Sequence, residues 1–542
     1  MDTIVLILVM LLAVVASGYL VRALPLPLPL PLVQIGMGAA VAGVFKHGVA
    51  LNPDIFFLLF LPPLLFLDGW RIPKDGLFRD RNTIIELALG LVLFTVVGAG
   101  FLIHWLIPAL PLPVAFALAA VVSPTDPVAV SSITERVPMP RRLTNILAGE
   151  SLLNDATGLV CFRFAVTAAL TGAFSLTSAT VTFFWVALVG LAAGVGFTLL
   201  ASFAQRMLMQ RFGDGGGSSI LLNLLIPFGA YLLAEKMDAS GILAAVAAGI
   251  AMSYVELSGR APASTRVTRT AVWDMMQFAL NGMMFVLLGE QLPTILRGAA
   301  SSVMQTGHGN PWWLAVYAFA ISIGLTALRL LWVWVSLRLT VFNARYRGEG
   351  NVRPHWRLLL ASSLAGVRGA ITLAAVLTLP LAMPDGTPFP QRDVTIFLAT
   401  AVILLSLLMA SIGLPRVLQG LDFPEESALH REEDRARHAA ALAAIEAIRT
   451  ARDLPQSVEA DVHSQAIAHV IGLYQHRLDY QQCDEDRSEQ ARLATAIERE
   501  LRLAALQAER EAIFDMARRG EISDQTSRKL VREIDLVESR YR

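Results

Sequence analysis

The chain has 542 residues, of which 55% are hydrophobic and only 16% charged, where a soluble protein of this size carries about 25% charged residues. Its 44 basic and 44 acidic side chains cancel, but charge is sparse up to about residue 420 and dense after it, so a net charge of zero describes neither part. Two cysteines, Cys161 and Cys483, exclude a disulfide framework, and the lack of a Walker A run argues against a nucleotide-driven pump.

Ile4 to Leu20 is apolar, with no basic region before it and no small-residue cleavage site. It reads as a first transmembrane helix, not a signal peptide. A spanning helix needs about 20 mostly apolar residues. About thirteen such stretches follow one another, near 3–21, 29–46, 53–70, 83–107, 112–135, 143–170, 179–208, 218–235, 239–257, 270–291, 312–340, 356–380 and 392–418. The proline-rich run from Pro25 to Pro31 blurs the start of the second. The glycines from Gly213 to Gly217 lack the lysine and the strand–helix setting of a phosphate loop, so they read as a loop.

Lys and Arg placement tests the count, because cytoplasmic loops carry the excess of positive charge. With the N-terminus outside, 18 basic residues fall in inner loops and 4 in outer ones. An odd number of spans then puts the C-terminus in the cytoplasm. Residues 1–420 are expected to form the transmembrane domain and residues 421–542 a helical cytoplasmic tail. The tail is rich in Ala, Glu, Arg and Leu at helical spacing from Arg431 to Arg452 and from Gln490 to Arg518, with Ser523 capping a last helix. Its composition suits packing or pairing between subunits.

Polar groups inside spans are costly and mark function. In the fifth span, Ser123-Pro124-Thr125-Asp126-Pro127 cannot continue a regular helix, since each proline removes a donor and clashes one turn back. Thr125 and Asp126 sit at that break, where they either cap half-helix ends and offer oxygens to a cation or mark a simple kink. The sixth span carries Glu150-Ser151-Leu152-Leu153-Asn154-Asp155. Ser151 and Asp155 share one helix face, as do Glu150 and Asn154. Two carboxylates, a hydroxyl and an amide so crowded suit a cation or a proton, with Asp155 the exchanging group and Glu150 better read as pairing with an arginine. Asp68, ending the third span after Leu61-Pro62-Pro63, reads equally as an interfacial cap or a ligand. Arg329 and Arg368 are buried cations that need partners, and Glu150, Asp126 and Asp68 are available. The glycines around Arg368 allow a second break, in the twelfth span. Breaks seven spans apart suit two inverted six-helix repeats, with Asp126 and Arg368 compensating opposed half-helix dipoles.

These residues resemble a known family. Leu61-Pro62-Pro63 leading to Asp68, Ser123 to Ala129, Gly149 to Ala156 and Gly366 to Ala370 look like the motifs of sodium/proton exchangers in the monovalent cation:proton antiporter-1 family, in order over about residues 1–420. The tail, with Gly520-Glu521-Ile522-Ser523 and Val531 to Leu536, looks like its bacterial branch. The resemblance implies an all-α polytopic fold of thirteen spans in two inverted repeats. A six-helix core would slide past a dimerisation domain in a homodimer of the bacterial plasma membrane. It implies that Asp155 binds cation or proton, that Ser151, Asp68 and the Thr125 carbonyl complete a Na+ site, that Glu150 pairs with Arg329, and that Arg368 stabilises the broken twelfth span. Asn154, where an electrogenic group has a second aspartate, implies one-for-one exchange. Asp68 stands where some prokaryotic members carry a longer Glu, which bears on affinity or ion choice.

The expected function is electroneutral Na+/H+ antiport, with Li+ or K+ as alternative cations, serving intracellular pH and sodium homeostasis. No cofactor, catalytic residue or nucleic-acid partner is expected, only transported ions and the lipid bilayer. A passive cation channel and a membrane-bound sensor that signals through its tail are the rival classes.

Overall fold

The computed structural model describes residues 2–23, 28–44, 53–126, 130–131, 133, 139–172, 176–212, 216–257, 263–305, 312–346, 356–419, 435–436, 438–448, 467–472, 475, 485–519, 521–522 and 524–538. The chain divides into two units, Met1–Leu421 and Asp422–Arg542. Among the described residues both are helical, and the sole β feature is an isolated antiparallel bridge between Ala382 and Pro388.

The first unit begins with α1 (Asp2–Ala23), α2 (Leu30–Val44), α3 (Pro53–Arg71) and the short α4 (Lys74–Arg79). Then come α5 (Arg81–Leu106), α6 (Leu112–Val122), α7 (Arg141–Thr171), α8 (Leu176–Phe212), α9 (Gly216–Lys236) and α10 (Gly241–Leu257). It ends with α11 (Ala263–Gln305), α12 (Trp312–Tyr346), α13 (Trp356–Leu364), α14 (Ala370–Leu377) and α15 (Arg392–Leu418). Among the described residues, 8 helices are long and apolar enough to cross a membrane, while α2, α6 and α10 are shorter apolar helices. The apolar stretches of the sequence each coincide with one of these helices or, for the twelfth, with the pair α13 and α14. About thirteen passes follow from this match.

Local chemistry sets the ends. Proline at Pro140 leads into α7, where its missing N–H costs nothing. Gly172, at φ 69°, closes the helix in the left-handed conformation, its amide bonding Ala168 O at 3.0 Å. Pro62 and Pro63 lie inside α3 without ending it. Helix α5 contains a π-helical segment, Glu86–Leu91, that no proline or glycine pattern announced.

Two passes are interrupted where the sequence indicated. Helix α6 stops at Val122 and the chain runs on non-helically through Ser123 to Asp126. Between α13 and α14, residues 365–369 do the same. The breaks cross, the Asp126 amide bonding Val367 O at 2.7 Å. Freed carbonyls need donors in a membrane interior, and two buried arginines supply them. Arg368 Nε donates to Val122 O at 2.8 Å and Nη1 to Gly366 O, while Arg329 Nε donates to Ser362 O at 3.0 Å. Each cation thus stands at the C-terminal end of a half-helix, where the dipole is negative. The Asp126 carboxylate lies against Gly369, before the N-terminus of α14, where a Cβ would come within 2.0 Å of Asp126 Oδ2. Of the partners the sequence makes available to the two arginines, Glu150 goes to Arg329, while the Arg368 side chain donates to carbonyls released by the breaks.

Packing places the site. The largest apolar core runs through α5, α6, α7, α12 and α15. A separate cluster joins α1, α2, α3 and α11, and another joins α3 with α8, α9 and α10. Helix α3 reaches its position through backbone contact with α10: a Cβ on Gly69 would lie 2.4 Å from Val246 O and one on Gly249 2.0 Å from Phe66 O. Asp68 is therefore fixed on the side facing α7.

The second unit contains α16 (Glu485–Arg518) and α17 (Asp524–Glu538), which pack together. Arg510 of α16 pairs with Asp535, at 3.1 Å, and with Glu538 of α17. A helix also covers His438–Ile448, inside the expected Arg431–Arg452 segment. The expected cap Ser523 and Cys483 lie outside the described residues.

Candidate functional site: a carboxylate-lined membrane cavity

A cavity of about 290 Å³ opens between α3, the α6 break, α7 and α11. Asp68, Thr125, Asp126, Ser151 and Asp155 line it. That space is roomy and polar enough to hold several waters beside these side chains.

Helix α7 divides its polar run between two faces. Ser151 and Asp155, one turn apart, face the cavity. Ser151 Oγ donates to the Thr125 carbonyl at 2.8 Å. The carboxylates of Asp155 and Asp68 accept no hydrogen bond and form no ion pair among the described residues. In Asp155, only 6% exposed, that carboxylate is left with the cavity as its solvent. A buried carboxylate without a donor either takes up a proton or finds a cation.

The other face of α7 builds scaffold. Arg329 Nη1 and Nη2 donate to Glu150 Oε1 and Oε2 at 2.6 and 2.7 Å, a bidentate pair in which both side chains are under 5% exposed. Thr125 Oγ1 donates to Glu150 Oε1 at 3.1 Å and accepts from Asn154 Nδ2 at 3.0 Å. One chain of bonds therefore ties α7, the α6 break, α12 and α13 together. It consumes the Thr125 hydroxyl and leaves the Thr125 carbonyl, which accepts from Ser151 Oγ, on the cavity side.

Five of the nine residues singled out in the sequence thus meet at the cavity. Glu150, Asn154, Arg329 and Arg368 do not line it. Asn154 is fully buried against Thr125, with Oδ1 left without a donor among the described residues. The sequence reading missed Arg71, Gln277 and Asn281, which do line the cavity. A signal existed for α11: Asp274, Gln277 and Asn281 recur at i, i+3 and i+7, a polar stripe on an otherwise apolar helix.

Comparison with known proteins places this geometry. The family described as sodium/hydrogen exchanger, transmembrane, matches residues 7–420. The chain belongs to that family. It is a multi-pass membrane protein of a transporter family. It is 40% identical to an uncharacterised Na+/H+ exchanger, YjcE, of Escherichia coli K12, over 98% of each chain. It is 36% identical to a sodium, potassium, lithium and rubidium/H+ antiporter of Bacillus subtilis, over 100% of this chain and 78% of that one. Among solved structures, the sodium proton antiporter MjNhaP1 of Methanocaldococcus jannaschii superposes with a TM-score of 0.58 at 17% identity, covering 78% of this chain and 99% of the other. That likeness establishes the shared fold.

Proposed function

We propose that the chain exchanges one Na+ or Li+ for one H+ by alternating access, with cation and proton competing for Asp155. The observation that carries this reading is the Asp155 carboxylate, buried on α7, facing the cavity and accepting no hydrogen bond among the described residues. Asp68, Ser151 and the Thr125 carbonyl stand on the same cavity and would supply further oxygens. A ligand drives a change only through different affinities for two states; neutralised by either ion, Asp155 can cross an apolar barrier that its bare charge cannot. Asn154 supports electroneutrality, since it puts no second charge beside Asp155.

Residues 1–420 then form the transport domain and 421–542 a cytoplasmic accessory domain. The N-terminus lies outside, the protein works as a homodimer in the bacterial plasma membrane, and its task is pH and sodium homeostasis. The distribution of Lys and Arg supports the orientation. The name of the Bacillus subtilis relative favours a second reading, in which K+ and Rb+ are also carried.

The test is purified protein in liposomes, with lumenal pH followed as Na+, Li+ and K+ are added across pH. Cation-driven proton movement that persists when the membrane potential is clamped supports the proposal. Cation flux without pH change would indicate a channel.

A further inference from the structure

Arg71 closes α3 and reaches into the cavity three residues after Asp68. At that spacing the two side chains share a helix face. Yet among the described residues the guanidinium does not pair with Asp68. It turns to α11 instead, where Nη1 donates to Gln277 Oε1 at 2.7 Å and Nη2 to Asp274 Oδ1. Both terminal nitrogens are thereby committed to a pair of residues three apart on one helix.

This arrangement is poorly explained as a stabilising bond. The Arg71 and Asp274 side chains are 37% and 57% exposed, and solvated pairs contribute little to stability. The end of α3 favours an arginine through its dipole, but that preference is met without contacting α11. What the contact does achieve is electrostatic. An arginine keeps its charge at any working pH, and its planar fork matches a carboxylate. Released in a cavity lined by Asp68, Asp126 and Asp155, it would be a tethered cation competing with the transported one.

We propose that Asp274 and Gln277 act as a clasp that holds Arg71 off Asp68, and that this clasp sets the apparent affinity of the cavity for the transported monovalent cation. The inference rests on the exchange reading. Asp274 is a positioning residue, acting through Arg71.

The experiment compares wild type, Asp274→Asn, Arg71→Gln and the double variant in liposomes. Freeing a unit charge to act at about 4 Å in water is worth about 1 kcal/mol, or about fivefold in a binding constant. Asp274→Asn should raise the Na+ KM about fivefold or more and leave kcat within about twofold. Adding Arg71→Gln should return KM to the wild-type value or below. An unchanged KM in Asp274→Asn overturns the proposal, as does a raised KM that Arg71→Gln fails to rescue, which would mark a mere tether. Na+-dependent thermal stabilisation of the same detergent-solubilised variants reads the clasp independently of transport. If wild type binds Na+ but moves no protons, the exchange reading fails, while the ordering of Na+ affinities still decides the clasp.

Discussion

The two faces of α7 make opposite use of the same chemistry. Glu150 and Asp155 are both aspartate- or glutamate-type acids, five residues apart on one buried helix. Glu150 is held by two bonds from Arg329 and one from Thr125. Asp155 has no protein donor among the described residues and opens on the cavity. A carboxylate whose charge is fully compensated is inert scaffold. One left uncompensated in a cavity must recruit its partner from outside, and that is what transport requires. The difference lies in what each face meets, α12 and the α6 break on one side and water-sized space on the other.

Substitutions can break this comparison at either face. The largest effect is expected on the cavity side: Asp155→Asn should abolish exchange while the melting temperature stays near wild type, since no bond among the described residues is lost. On the scaffold side, Glu150→Ala leaves Arg329 buried and uncompensated. It should cost about 3–5 kcal/mol of stability, seen as lower expression and melting temperature, and adding Arg329→Met should recover part of that loss. Gly369→Ala presses a Cβ into the Asp126 carboxylate and should cost about 1–3 kcal/mol, read by thermal unfolding of the purified protein. Thr125→Val keeps the carbonyl that faces the cavity but removes the hydroxyl between Asn154 and Glu150. The loss should be about 1–3 kcal/mol of stability with little change in Na+ KM. A KM rise comparable to that of a cavity variant would show that the two faces are not separate.

Much of this division was legible in the chain. Apolar stretches and prolines located the passes and both interruptions, because membrane length and the missing proline N–H act locally. Helical spacing put Ser151 with Asp155 and Glu150 with Asn154. What periodicity cannot supply is which neighbour each face meets. The sequence offers Arg368 three carboxylates, yet it serves Val122 O and Gly366 O, carbonyls that become acceptors only after the breaks form. Asn154 stands in the same polar run as Asp155, yet it packs against the Thr125 hydroxyl, 29 residues earlier in the chain. Gln277 and Asn281 carried a polar stripe, but only the docking of α11 beside α3 turns that stripe toward Asp68. The π-helical segment in α5 has no sequence signal that we can identify.

The central claim is that Asp155 holds a proton or a cation, and never both. Proton release on adding Na+ to the detergent-solubilised protein in weak buffer tests it without any transport step. Wild type should release up to one proton per Na+ bound, at pH values where Asp155 is protonated, and Asp155→Asn should release none. Proton release undiminished in Asp155→Asn, or Na+ binding to wild type with no release at any pH, would contradict the account.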